Sequence, residues 1–203
     1  MAVSKFSTNS LKTPLKYSSF LAGNPAVVPS SYESIATTTI GSPVSSITFS
    51  SIPATYTHLQ VRGIIRNNAN VGGDAASFRF NSDSSSSYTQ HYLAGNGATT
   101  SASYTTAVAQ GYFGVNTADG SRTAGVFSPV IFDILDYANT SKYKTVRVLS
   151  GTDDNGATCF VTLSSNVFIK TDAITSMTIY PYNVGSNNWA QYTSLALYGI
   201  KGA

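Results

Sequence analysis

Residues 45–66, SSITFSSIPATYTHLQVRGIIR, carry the pattern from which the fold is read. Ile47 and Phe49 alternate with Ser46, Thr48 and Ser50, the period of two that turns one strand face towards a core. Pro53 ends that run. After it Leu59, Val61, Gly63 and Ile65 share one face, while His58, Gln60, Arg62 and Arg66 mostly share the other. The stretch is expected to be two β-strands joined by a proline-bearing corner. Such a pair cannot bury its apolar face alone, so further strands must cover it.

The rest of the chain supplies them. Tyr32–Thr39 is expected to be an edge strand, and Ser77–Asn81 sets Phe78 and Phe80 on one face around Arg79. Further extended runs fall at 88–93, 105–115, 126–135, 142–150, 157–164, 173–180 and 192–200. Pro129 predicts an edge or a bulge in its strand, because proline cannot donate to a ladder. Asn155-Gly156 signals a hairpin. In the last run Leu195 and Leu197 share one face and Tyr198 and Ile200 lie opposite. Loops are expected at NNANVGGDAA, at Ser84–Ser87 and at GNGATTSAS, residues 95–103, where Gly95-Asn96-Gly97 makes a turn and not a phosphate cradle, since no helical pattern follows. The chain has 203 residues, of which 42% are hydrophobic and only 10% charged. Its polar positions are mostly Ser, Thr, Asn and Gln, which suit strand surfaces better than helices. The fold class is therefore all-β: an antiparallel two-sheet sandwich, expected as a jelly roll, preceded by an extended N-terminal arm.

The arm is residues 1–26 and the sandwich 27–203. Lys5, Lys12 and Lys16 stand in the arm with no acid, whereas the remainder holds nine basic and nine acidic residues, so the net charge of +3 belongs to the arm. Either it is a disordered basic tail, or Lys5, Phe6, Leu11, Lys12, Leu15 and Lys16 dock it on a partner. Met1–Asn9 lacks the apolar core of a signal peptide, and no run of about 18 apolar residues suggests membrane insertion.

Chemistry-bearing residues are sparse. His58, His91 and Cys159 hold no familiar zinc spacing, and the thiol is expected to be buried and inert in an apolar strand. Being single, it has no partner for an internal disulfide. Asp153 and Asp154 lack the further ligands of an EF-hand. No GxSxG elbow occurs, and Asp133 and Asp136 are expected to point to opposite faces rather than act as a glycosidase pair. Arg62, Arg66, Arg79 and Arg147 are scattered and balanced by acids, which argues against nucleic acid. No enzymatic activity, cofactor or metal is expected. The uncharged segment Tyr180–Tyr192 gathers Tyr182, Asn188, Trp189 and Tyr192. Aromatic faces beside amides suit sugar rings, but the same residues could close the end of the sandwich or fill a subunit contact.

Residues 45–67, SSITFSSIPATYTHLQVRGIIRN, and 194–203, SLALYGIKGA, resemble the ends of a β-sandwich module of tailed-bacteriophage virion proteins, notably of cyanophages. The lead-in SLKTPLKYSSFLAGNPAVVPSSYESIAT is similar to the same proteins, and residues 70–170 carry no part of the resemblance. It implies a virion component assembled in the host cytoplasm, docked to other virion proteins through its arm, homotrimeric, and displaying the sandwich. The role expected is a short tail or baseplate fibre that attaches to host surface glycan. A capsid decoration or cement protein is the alternative within that class, and a free carbohydrate-binding domain lies outside it. The family brings no catalytic or ligand-binding residues.

Overall fold

The computed structural model describes residues 31–72, 74–112, 117–155, 159–182 and 187–201. The arm residues named above, and the boundary at 26, lie outside them. Twelve strands form among the described residues: β1 (Tyr32–Thr39), β2 (Ile47–Phe49), β3 (His58–Ile65), β4 (Ala76–Phe80), β5 (Tyr88–Gly95), β6 (Thr100–Val108), β7 (Gly111–Tyr112), β8 (Ser128–Ile134), β9 (Lys144–Thr152), β10 (Phe160–Phe168), β11 (Met177–Pro181) and β12 (Ser194–Ile200). They make an eight-stranded sheet in the order β1-β12-β3-β8-β9-β10-β5-β6 and a four-stranded sheet in the order β2-β11-β4-β7. Every neighbouring pair is antiparallel. The expected two-sheet sandwich is present. To the finer jelly-roll expectation a division of eight strands against four adds no support.

The opening stretch folds as its alternation dictates, with one correction. Ile47 and Phe49 are buried on β2, and Leu59, Val61 and Ile65 are buried on β3. The two strands do not pair. β2 joins β11 in the small sheet and β3 lies between β12 and β8 in the large one. The proline corner therefore carries the chain from one sheet to the other, and the buried Tyr137 fixes it by donating its hydroxyl to the Pro53 carbonyl. Between the sheets Phe78, Phe80, Tyr88, Phe132 and Phe168 form one aromatic cluster with centroid separations from 4.8 to 6.4 Å. The Tyr88 hydroxyl accepts from the Phe80 N–H at 2.9 Å, which satisfies a polar group in the middle of that cluster.

Other boundaries shift for local reasons. β1 spans the expected edge strand residue for residue. Pro129 sits in an interior strand, not at an edge. It is tolerated because pairing of β8 with β9 begins only at Val130–Ser150. The loop expected at 95–103 is shorter: Asn96 closes a turn by accepting from the N–H groups of Ala98 and Thr99, and β6 starts at Thr100. The strand expected at 105–115 is accordingly replaced by β6 and the two-residue β7. Asn155 lies between β9 and β10, which pair antiparallel, at φ +57°; Gly156 lies outside the described residues.

Candidate functional site on the outer face of the large sheet

On the large sheet, residues i and i+2 of each strand share a face, and the register aligns them across strands. One outward row runs Tyr198–Gln60–Asp133–Arg147–Ser165–His91–Tyr104, from β12 to β6. Six inter-strand gaps of about 4.8 Å make it about 29 Å long. An aromatic pair stands at each end. Tyr32 stacks on Tyr198 with centroids 4.7 Å apart and planes at 22°, and His91 stacks on Tyr104 at 5.6 Å and 18°. At the first end the polar groups are chained: the Tyr32 hydroxyl donates to Gln60 Oε1 at 2.8 Å, and Gln60 Nε2 donates to Asp133 Oδ1 at 2.6 Å. Burial raises the Tyr32 pKa, with the Arg62 guanidinium opposing it, so the hydroxyl stays a donor at neutral pH. Towards the far end Arg147, Ser165 and His91 are exposed and Tyr104 is 69% exposed.

The next outward row is apolar. Ile131, Leu149, Leu163 and Leu93 lie directly opposite one another on β8, β9, β10 and β5, flanked by Arg62 and Ala102. Leu149, Leu163 and Leu93 are 46%, 45% and 54% exposed. Their strands also turn Ser150, Thr162, Ser164, Asn166 and Gln90 inwards, beside the buried Val146, Val148, Tyr88 and Phe168, so polar groups share the inner face while leucines stand on the outer one. Beyond the leucines, Gly95 and Gly151 border a depression of about 480 Å³ that is walled by Phe127, Pro129, Phe160 and Val161. Together the rows offer flat hydrocarbon, two aromatic stacks, and amide, carboxylate, guanidinium and hydroxyl groups, the complement of a sugar chain with its C–H faces and hydroxyls.

The four residues singled out in Tyr180–Tyr192 do not share one environment. Trp189 is wholly buried, donates its indole N–H to the Ile179 carbonyl at 3.1 Å, and bridges both Val44 and Asn67. Its ring closes the end of the sandwich and has no surface to offer a ligand. Asn188 is half-buried and exchanges bonds with Asn68: its N–H reaches Asn68 Oδ1 at 2.7 Å, and its carbonyl accepts from the Asn68 N–H. Tyr182 packs edge-on against Tyr112 at 5.0 Å and 89°, and burial together with Tyr182 pushes the Tyr112 hydroxyl up to about 12. Of these four, Tyr182 is 39% exposed and Tyr192, at φ +73°, is 63% exposed and tethered by its N–H to the Ile40 carbonyl.

Other singled-out residues fall into local roles. Cys159 is not buried in a strand. It is half-exposed just before β10, and its thiol donates to Asp153 Oδ1 at 3.2 Å. Asp153, held below the ordinary carboxylate range by the Asn155 N–H and then by this thiol, caps its own turn, whereas Asp154 turns to Arg122 at 3.7 Å. Among the described residues no group of three or more His, Cys, Asp or Glu is placed to hold a metal ion. Asp133 lies in the outward row, and Asp136, past the end of β8, binds Lys142 at 2.9 Å and donates its N–H to His58 Nδ1. The buried Asp74 accepts from Asn67, Ala75 and Asn187, and burial raises its pKa. With Asp119, which accepts from Val71 and Ser121, it ties loops together at the Trp189 end.

Comparison with protein-family models, curated proteins and solved structures found no match to this chain.

Proposed function

We propose that this chain is a structural protein of a tailed-bacteriophage virion, a short tail or baseplate fibre, and that the outer face of its large sheet is what it presents to host glycan. The attachment role is supported by the register-aligned row from Tyr198 to Tyr104, a strip with aromatic stacks at both ends and hydrogen-bonding side chains between them. The virion setting rests on the resemblance of residues 45–67 and 194–203. These segments supply β3 and β12, which are neighbours in the sheet that bears the strip. In this reading the arm, with Lys5, Phe6, Leu11, Lys12, Leu15 and Lys16, attaches the chain to the particle.

The test is binding of the full chain to polysaccharide purified from the host envelope, measured beside the double variant Tyr104→Ala/Arg147→Ala. Both side chains are exposed, so the variant should melt with the wild type. Its affinity should fall at least about tenfold, equivalent to about 1.4 kcal/mol. Unchanged affinity in the variant, or no binding by the wild type, overturns the attachment reading and leaves a head decoration as the role to test.

A further inference from the structure

A sheet edge is a row of unpaired N–H and C=O groups, and proteins protect such edges by shortness, charge or bulges. The two sheets have four edges, and three are protected. β2 and β7 are three and two residues long. β1 carries a bulge between Ser34 and Ala36, and Glu33 is bound by Lys201 at 2.7 Å and by the Tyr56 hydroxyl at 3.0 Å. β6 differs from all of them. It is nine residues long, TSASYTTAV, without charge or proline. Every residue from Thr100 to Ala107 is exposed, on both faces of the strand. Its backbone pairs with β5 alone, and among the described residues Thr100–Val108 make no hydrogen bond beyond that ladder. The ladder is regular from Thr100 to Thr105, and the irregularity, with Ala107 at φ +56°, is confined to the far end.

We infer that β6 is a self-association edge, which pairs antiparallel with β6 of a second copy about a two-fold axis at Ala102, inside the regular stretch Thr100–Thr105. A second copy fits for two reasons. An antiparallel pair related by a two-fold sets each strand against its own sequence, so a charged strand would face like charges, and this one has none to oppose. With the axis at Ala102, Ser101 of each copy lies opposite Ser103 of the other, a cross-strand hydroxyl pair that favours a sheet. Pairing covers the open edge and joins two eight-stranded sheets into one. The axis is perpendicular to the sheet, so both outer faces lie on the same side and the two polar–aromatic strips meet near their Tyr104 ends. The contact is isologous and closes at two copies, so a threefold assembly must use other surfaces. The inference does not depend on the attachment reading, because it concerns pairing in solution with no glycan present.

Sedimentation equilibrium of the full chain tests it, with Ala102→Lys and Ala102→Glu as variants. Ala102 is exposed on the outer face opposite Leu93, so neither change touches the core. The wild type should dimerise in a concentration-dependent way, and each variant alone should dimerise at least about tenfold more weakly. An equimolar mixture of the two should recover dimer, since Lys then meets Glu. Hydrogen exchange gives a second readout: the outward amides of Thr100–Thr105 in the wild type should slow as concentration rises. A wild type that stays monomeric, an oligomer that Ala102→Lys leaves unchanged, or amides whose exchange ignores concentration overturns the inference.

Discussion

Replacing Trp189 with alanine asks whether this ring builds the protein or contacts a ligand. The side chain is wholly buried and its indole N–H is satisfied by the Ile179 carbonyl at 3.1 Å. Truncating a buried Phe or Trp to Ala costs about 3–5 kcal/mol. Leaving a buried acceptor short of a donor adds up to about 1–3 kcal/mol. The segment is also where the chain ties Val44 to Asn67 through backbone bridges at Trp189, so the cavity opens at a junction of loops rather than in a rigid sheet. The expected loss, about 4–8 kcal/mol, is comparable to the whole stability of a domain, about 5–15 kcal/mol. Urea unfolding followed by tryptophan-independent circular dichroism measures it. Trp189→Phe separates the two parts: it keeps most of the bulk, loses the N–H, and should cost about 1–3 kcal/mol. Loss of ligand binding by Trp189→Ala at unchanged stability would refute the reasoning, because it would require a ring that reaches solvent.

Two further outcomes follow from local geometry. Gly63→Ala would set a Cβ 2.0 Å from the Ser194 carbonyl oxygen across the β3–β12 ladder, and should destabilise the chain by about 1–3 kcal/mol in thermal or urea unfolding; wild-type stability would mean that the strands separate at no cost. Burial raises the pKa of Asp83, but the Lys170 ammonium and the Ser85 hydroxyl and N–H outweigh it and hold the carboxyl at about 2, against an ordinary value of 3.8. A depressed carboxylate stabilises the folded state above its unfolded pKa, and that contribution is lost as pH falls through the folded one. Melting temperatures should therefore drop between about pH 4 and pH 2 more steeply in the wild type than in Asp83→Asn, and identical slopes would remove this ion pair from the acid response.

Alternation along single strands was enough to assign the inward faces: Ile47 and Phe49, Leu59, Val61 and Ile65, Phe78 and Phe80, and Leu195 and Leu197 are all buried. That signal is local, because a period of two is a property of one backbone and survives whatever the neighbours are. Partnership is not local. Nothing in residues 45–66 distinguishes a hairpin from two strands in opposite sheets, since Pro53 ends the ladder equally well in both. Nor does the run around Trp189 carry a period that would mark its ring as core; long-range bridges to Val44 and Asn67 decide that. The outward rows are the clearest case. On β9, β10 and β5, Leu149, Leu163 and Leu93 would be taken as inward by hydrophobicity alone. Close by, Ser150, Ser164 and Gln90 occupy the buried face instead. Which residues meet across seven strands depends on cumulative register, fixed by turn lengths and bulges through the whole sheet, so the row from Tyr198 to Tyr104 exists only in the tertiary structure.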